Sequence, residues 1–225
     1  MCYNFPNVKI CAIPTTRQTL KMKTRILPTE KKNIEAAGQI LKNGGIVAFP
    51  TDTVYGLGAV FSDENAVQKL FEAKGRDEGK PLSILVGSAE QAEMLASEIP
   101  EKAKRLMQKY WPGALTIILK KKPEVSKRIT AGGETVGLRM PAYPITLELL
   151  QAAGSPLAAP SANTSGKRSS VSASDVIEDL DGKIDLILDG GECPVGISST
   201  VVDLTGNEPV ILREGIITKR MIDEA

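Results

Sequence analysis

Short apolar runs alternate with stretches of helical period along this chain, and that alternation narrows the fold more than any other feature. Segments 46–49, 82–86, 115–119, 135–140, 157–159, 184–188, 200–204 and 210–212 read as strands. Helical patterns lie between them. The first is capped by Thr29, carries Ile34, Ala37, Ile40 and Leu41 on one face, and stops at Gly44-Gly45. Others run at 63–74 (stopped by Gly75), 89–96, 101–110, 145–153 and 172–180, the last opened by a Ser172/Asp175 capping box. Interspersed strands and helices define the α/β class with one sheet. Strict βαβ alternation fails near the C-terminus, so a mixed sheet is expected. No repeat or low-complexity linker breaks the pattern, which places one domain at 24–225 behind a loose extension at 1–23, with translation expected to start at Met22.

Composition removes whole classes of chemistry. The 225 residues include no histidine, which excludes Ser-His-Asp and Cys-His catalysis and His-ligated metals. Lys and Arg number 28 against 27 Asp and Glu, a net charge of +1, so an anion site has to be a local arrangement. Cys2, Cys11 and Cys193 form no CxxC pair, which argues against a zinc site and suits a reducing cytosol. No apolar run approaches the ~18 residues of a membrane helix, so a cytoplasmic protein without a membrane partner is expected.

Small polar residues gather where strands end: at 50–58, 160–166, 190–191 and 196–200. Such loops are either ordinary turns or cradles for phosphate and carboxylate oxygens. The segment Lys74-Gly-Arg76-Asp-Glu-Gly-Lys80 suits a loop around a polyanion, or a solvated loop neutralised by Asp77 and Glu78. It is one residue short of a P-loop, and Pro81 blocks the helix turn a P-loop needs. Arg139 and Arg213 sit in apolar strands and need a partner, either a protein carboxylate (Glu214 for Arg213) or a ligand anion. Trp111 reads as core, and the cations at 120–122, 127 and 128 as a solvated patch.

Taken together, Phe49-Pro-Thr-Asp-Thr-Val-Tyr-Gly-Leu-Gly58, Lys74-Gly-Arg76, Trp111-Pro-Gly-Ala-Leu-Thr116, Pro160-Ser-Ala-Asn-Thr-Ser-Gly166, Ser199-Thr-Val-Val-Asp203 and Leu212-Arg-Glu-Gly215 resemble the YrdC/Sua5 family of threonylcarbamoyl-AMP synthases. The resemblance implies a twisted sheet curved around a large concave cleft. It also implies a nucleotidyltransferase that uses L-threonine, bicarbonate and ATP, with Mg²⁺ carried by the nucleotide, and supplies t6A modification of tRNA through downstream transferase proteins. By the same resemblance, Lys74, Arg76, Lys80, Thr135, Ser161, Asn163, Ser169 and Arg213 hold ATP, with Lys74 and Arg76 catalytic, and Thr53, Arg139, Ala159 and Ser199 hold threonine. Leu85 and Tyr143 stand where many relatives carry histidine. Two other functions stay open on the residues: an RNA-binding module, disfavoured by scarce aromatics and low net charge, and a nucleotide-binding homologue without turnover.

Overall fold

The computed structural model describes residues 23–225, so Met22 and most of the extension lie outside the described residues. Ten strands form one sheet: β1 (Arg25–Pro28), β2 (Val47–Phe49), β3 (Gly56–Val60), β4 (Ser83–Leu85), β5 (Leu115–Lys120), β6 (Thr135–Arg139), β7 (Leu157–Ala158), β8 (Leu186–Asp189), β9 (Thr200–Asp203) and β10 (Val210–Arg213). Their order across it is β1-β8-β2-β3-β7-β4-β6-β5-β9-β10. The sheet is mixed: β4 with β6 and β5 with β9 run parallel, whereas β5 with β6 and β9 with β10 run antiparallel.

Period-two alternation within the strands sends their side chains to two different environments. One set, including Ala48, Leu57, Ile84, Ile117, Leu138, Ile187 and Val202, packs beneath α2 (Glu64–Lys74), α3 (Ala89–Leu95), α4 (Glu101–Tyr110), α6 (Ala173–Leu180) and α7 (Lys219–Asp223). On the other face, Val47, Phe49, Leu85, Leu157, Leu186 and Leu188 pack beneath α1 (Lys31–Lys42) and α5 (Pro144–Ala153) alone. Those two helices cover only the β1 half of that face. Over β6, β5, β9 and the Ser83 end of β4 none of the described helices lies above it, and the side chains facing that space mix small and polar residues, Ser83, Thr135, Gly137 and Thr116, with the apolar Ile118 and Val201.

Several local features match the sequence reading. Gly75 ends α2 at φ +58°, whereas Asp63, which the pattern places inside the helix, is its N-cap and accepts from Asn65 N and Ala66 N. Ser172 and Asp175 form the capping box of α6. Others differ. Thr29 caps nothing: it is the middle of a tight turn closed by Glu30 N donating to Pro28 O at 2.9 Å, and Glu30, at φ −73° and ψ 148°, occupies the N-cap of α1 without a side-chain bond. β1 and α7 were not legible, being short and largely exposed. The 50–58 loop ends earlier than expected, since Gly56–Gly58 is already strand, paired with β2.

Candidate active site

The uncovered half of the sheet floors a cavity of about 310 Å³, within the range of small-ligand sites. Thr53, Arg76, Thr135, Arg139, Ala159, Ser161, Ser199 and Arg213 all line it. Residues distant in sequence meet there because the strands carrying them are neighbours. Among the described residues no Asp or Glu contributes to the wall.

Arg139 ends β6 and is 6% exposed. Its guanidinium donates through Nη2 to Asp52 Oδ1 at 2.6 Å, through Nη1 to Thr53 Oγ1 at 2.9 Å and through Nε to Gly113 O at 3.0 Å. The protein carboxylate is therefore its partner, and N–H groups remain over for a ligand. Burial pulls its pKa below the usual arginine value, and the nearby Arg213 guanidinium adds to that against the opposing pull of Asp52. The loop holding Asp52 and Thr53 is tied by Thr51, whose Oγ1 accepts from Thr53 N at 3.1 Å and donates to Val54 O at 2.7 Å.

Arg76 and Arg213 have no carboxylate partner among the described residues. Arg76 follows the Gly75 turn and donates through Nη2 to Pro81 O at 2.9 Å. Glu78 is spent on Arg128 instead, and Asp77 accepts from Gly79 N. Arg213 donates through Nε to Ser199 O at 2.9 Å and through Nη2 to Ser199 Oγ at 3.2 Å, while Glu214 accepts from Lys219 N. Burial pulls both guanidinium pKa values down. Arg76 is partly buried and Arg213 is exposed at the end of β10; with no described carboxylate in contact, both face the open cavity and are placed to meet a ligand anion.

Four expected ligands do not reach the wall. Lys74, the last residue of α2, is 2% exposed and donates through Nζ to Ser161 O and Asn163 O, both at 2.5 Å. It braces the loop from behind, and burial, reinforced by the Arg76 charge, pushes its pKa down to about 7. The Asn163 side chain works inside the same loop, accepting from Ser161 Oγ and donating to Thr164 O and Lys167 O. Ser169 stands one step back, its hydroxyl 3.4 Å from that of the wall residue Ser198. Lys80 is exposed and engaged through its backbone, its N–H donating to Asp77 O at 3.1 Å and its carbonyl accepting from Arg76 Nε at 3.4 Å.

The Sua5_yciO_yrdC family model, described as telomere recombination, matches residues 39–215. The chain belongs to this family. Two similar curated relatives are named threonylcarbamoyl-AMP synthase: one from Pyrococcus abyssi, 53% identical over 186 residues, and one from Bacillus subtilis, 49% identical over 198 residues. The matches cover 83% and 88% of this chain but 55% and 57% of those proteins, so the chain spans little more than half their length. A crystal structure of P. abyssi Sua5 complexed with L-threonine superposes with a TM-score of 0.85 at 49% identity, over 90% of this chain and 60% of that one.

Within the Sua5/YciO/YrdC fold seen here, the sequence reading missed part of the cavity floor. Ser83 and Gly137 line it, as does Thr116, which entered only as part of a motif. A usable signal was present in β6, where Thr135, Gly137 and Arg139 alternate with the buried Val136 and Leu138. Small and polar residues alternating with buried apolar ones, closed by an arginine, mark a strand whose second face looks onto a ligand space. Gly137 has a steric role as well: a Cβ there would lie 3.2 Å from Ser83 Oγ and 3.3 Å from Thr116 Cγ2. Among the described residues no helix is long and apolar enough to cross a membrane.

Proposed function

We propose that this chain forms L-threonylcarbamoyladenylate and pyrophosphate from L-threonine, bicarbonate and ATP, acting in the cytoplasm to supply t6A modification of tRNA through downstream transferases. One observation carries the reading: Arg76, Arg139 and Arg213 open into a single cavity free of wall carboxylates, in a chain about half identical to two threonylcarbamoyl-AMP synthases. Arg76, Arg213, Ser161 and Thr135 take the nucleotide, with Ser169 and Lys80 at the margin. Arg139, Thr53, Ala159 and Ser199 take threonine. Lys74 and Asn163 act through the loop that presents Ser161.

The chemistry asks little of protein acids and bases. The threonine amine condenses with bicarbonate, releasing water and leaving a carbamate whose oxygen attacks the α-phosphorus as pyrophosphate departs. In-line positioning and charge neutralisation supply most of the rate in such transfers. Arginines are suited to the second task, and the absence of histidine costs nothing here. Among the described residues the wall offers hydroxyls and guanidinium groups but no carboxylate, a donor set that fits Mg²⁺ entering with the nucleotide, held by phosphate oxygens and water.

Incubating the protein with ATP, threonine, bicarbonate and Mg²⁺ and measuring pyrophosphate tests the reading. Release is expected only when threonine and bicarbonate are both present. Nucleotide binding with no threonine-dependent release would leave a binding homologue without turnover.

A further inference from the structure

The hydroxyls of Thr116 on β5 and Ser199 ahead of β9 lie 2.8 Å apart, and both residues line the cavity. Ser199 Oγ also accepts from Arg213 Nη2 at 3.2 Å. A hydroxyl has two lone pairs and one hydrogen. Thr116 is 2% exposed, and among the described residues its hydroxyl meets no partner other than Ser199. Either hydroxyl can donate to the other, and in both arrangements one proton of the pair is left for the cavity. In both, Ser199 Oγ is held between Thr116 Oγ1 and Arg213 Nη2, so its position is fixed from two sides. The Thr116 methyl lies on the Gly137 side, in space that the missing Cβ keeps open.

We infer that Thr116 is a positioning residue: together with Arg213 it fixes the Ser199 hydroxyl, so that the Thr116–Ser199 pair presents a single donated hydrogen to an acceptor oxygen of the amino acid. The inference rests on the proposed synthase reaction. It also ties the two subsites together, since Arg213 on the nucleotide side and Thr116 on the floor act on one hydroxyl.

The test is calorimetric titration of L-threonine, and separately of a non-hydrolysable ATP analogue, into the full chain and three variants. Thr116→Val keeps shape and strand preference but removes the hydroxyl; it is expected to weaken threonine binding about tenfold while leaving analogue affinity within about twofold. Thr116→Ser keeps the hydroxyl and is expected to stay within about twofold of wild type for both ligands. Thr116→Cys, a weak donor, is expected to fall between, and it preserves the comparison if the valine variant folds poorly. Undiminished threonine affinity in Thr116→Val, or equal losses in the valine and serine variants, overturns the positioning role alone. A wild-type chain that binds the analogue but no threonine overturns the synthase reading and this inference with it.

Discussion

Arg139 and Arg76 carry the same charge into one cavity but stand in different electrostatic settings. Arg139 is locked to Asp52, with both side chains at or below 10% exposure, so removing the carboxylate leaves a buried cation uncompensated. Asp52→Asn is expected to lower unfolding free energy by about 3 kcal/mol, read as a shifted denaturant midpoint with unchanged slope. An unmoved midpoint would show that the pair contributes no more than a surface contact. Arg76 has no such debt to the fold, because its protein partners are two carbonyls. Its loss is therefore expected in turnover rather than in stability. Arg76→Ala should cost at least ~10²-fold in pyrophosphate release, the scale of one preorganised charge stabiliser, with a nearly unchanged melting temperature. Near-normal turnover would remove Arg76 from the mechanism.

At the level of single elements, a strand and a loop each do something that residue identity does not announce. β6 presents Thr135, Gly137 and Arg139 to the cavity and Val136 and Leu138 to the core, so one short strand serves as both wall and packing layer. Gly137→Val adds strand preference yet fills the floor between Ser83 and Thr116. We expect nucleotide-analogue affinity to fall at least ~10-fold while the far-UV circular dichroism spectrum is retained. Unaltered affinity would mean the ligand does not reach the centre of the sheet. The loop at 160–163 is shaped from behind by Lys74, whose ammonium replaces the solvent its carbonyls would otherwise need. In the sequence Lys74 and Arg76 form one cationic pair, two residues apart. The Gly75 turn out of α2 separates them, one under the loop and the other on the cavity wall.

For the whole molecule, that buried lysine couples folding to pH. The unfolded chain holds the Lys74 proton up to its ordinary value of 10.5, whereas the folded chain releases it from about pH 7. Between those limits the unfolded state binds more protons, so stability contributed through this residue rises with pH across the window and is flat below it. Comparing denaturant midpoints of wild type and Lys74→Met from pH 6 to 10 checks this: the rise is expected in wild type and flattened in the variant. Parallel profiles would show that Lys74 does not titrate in the fold. The sequence alone determined much of this protein, namely the α/β class, the mixed sheet, most of the helices with the Gly75 stop and the Ser172 cap, and the motifs that carry family membership. These are legible because periodicity, capping and turn chemistry act over a few residues. Tertiary structure alone decided that β6, β5 and β9 lie side by side with none of the described helices above their cavity face, that Asp52 claims Arg139, and that Lys74 supports Ser161 without lining the cavity. Those outcomes depend on strand order and on contacts between positions some eighty to ninety residues apart, which no local pattern encodes.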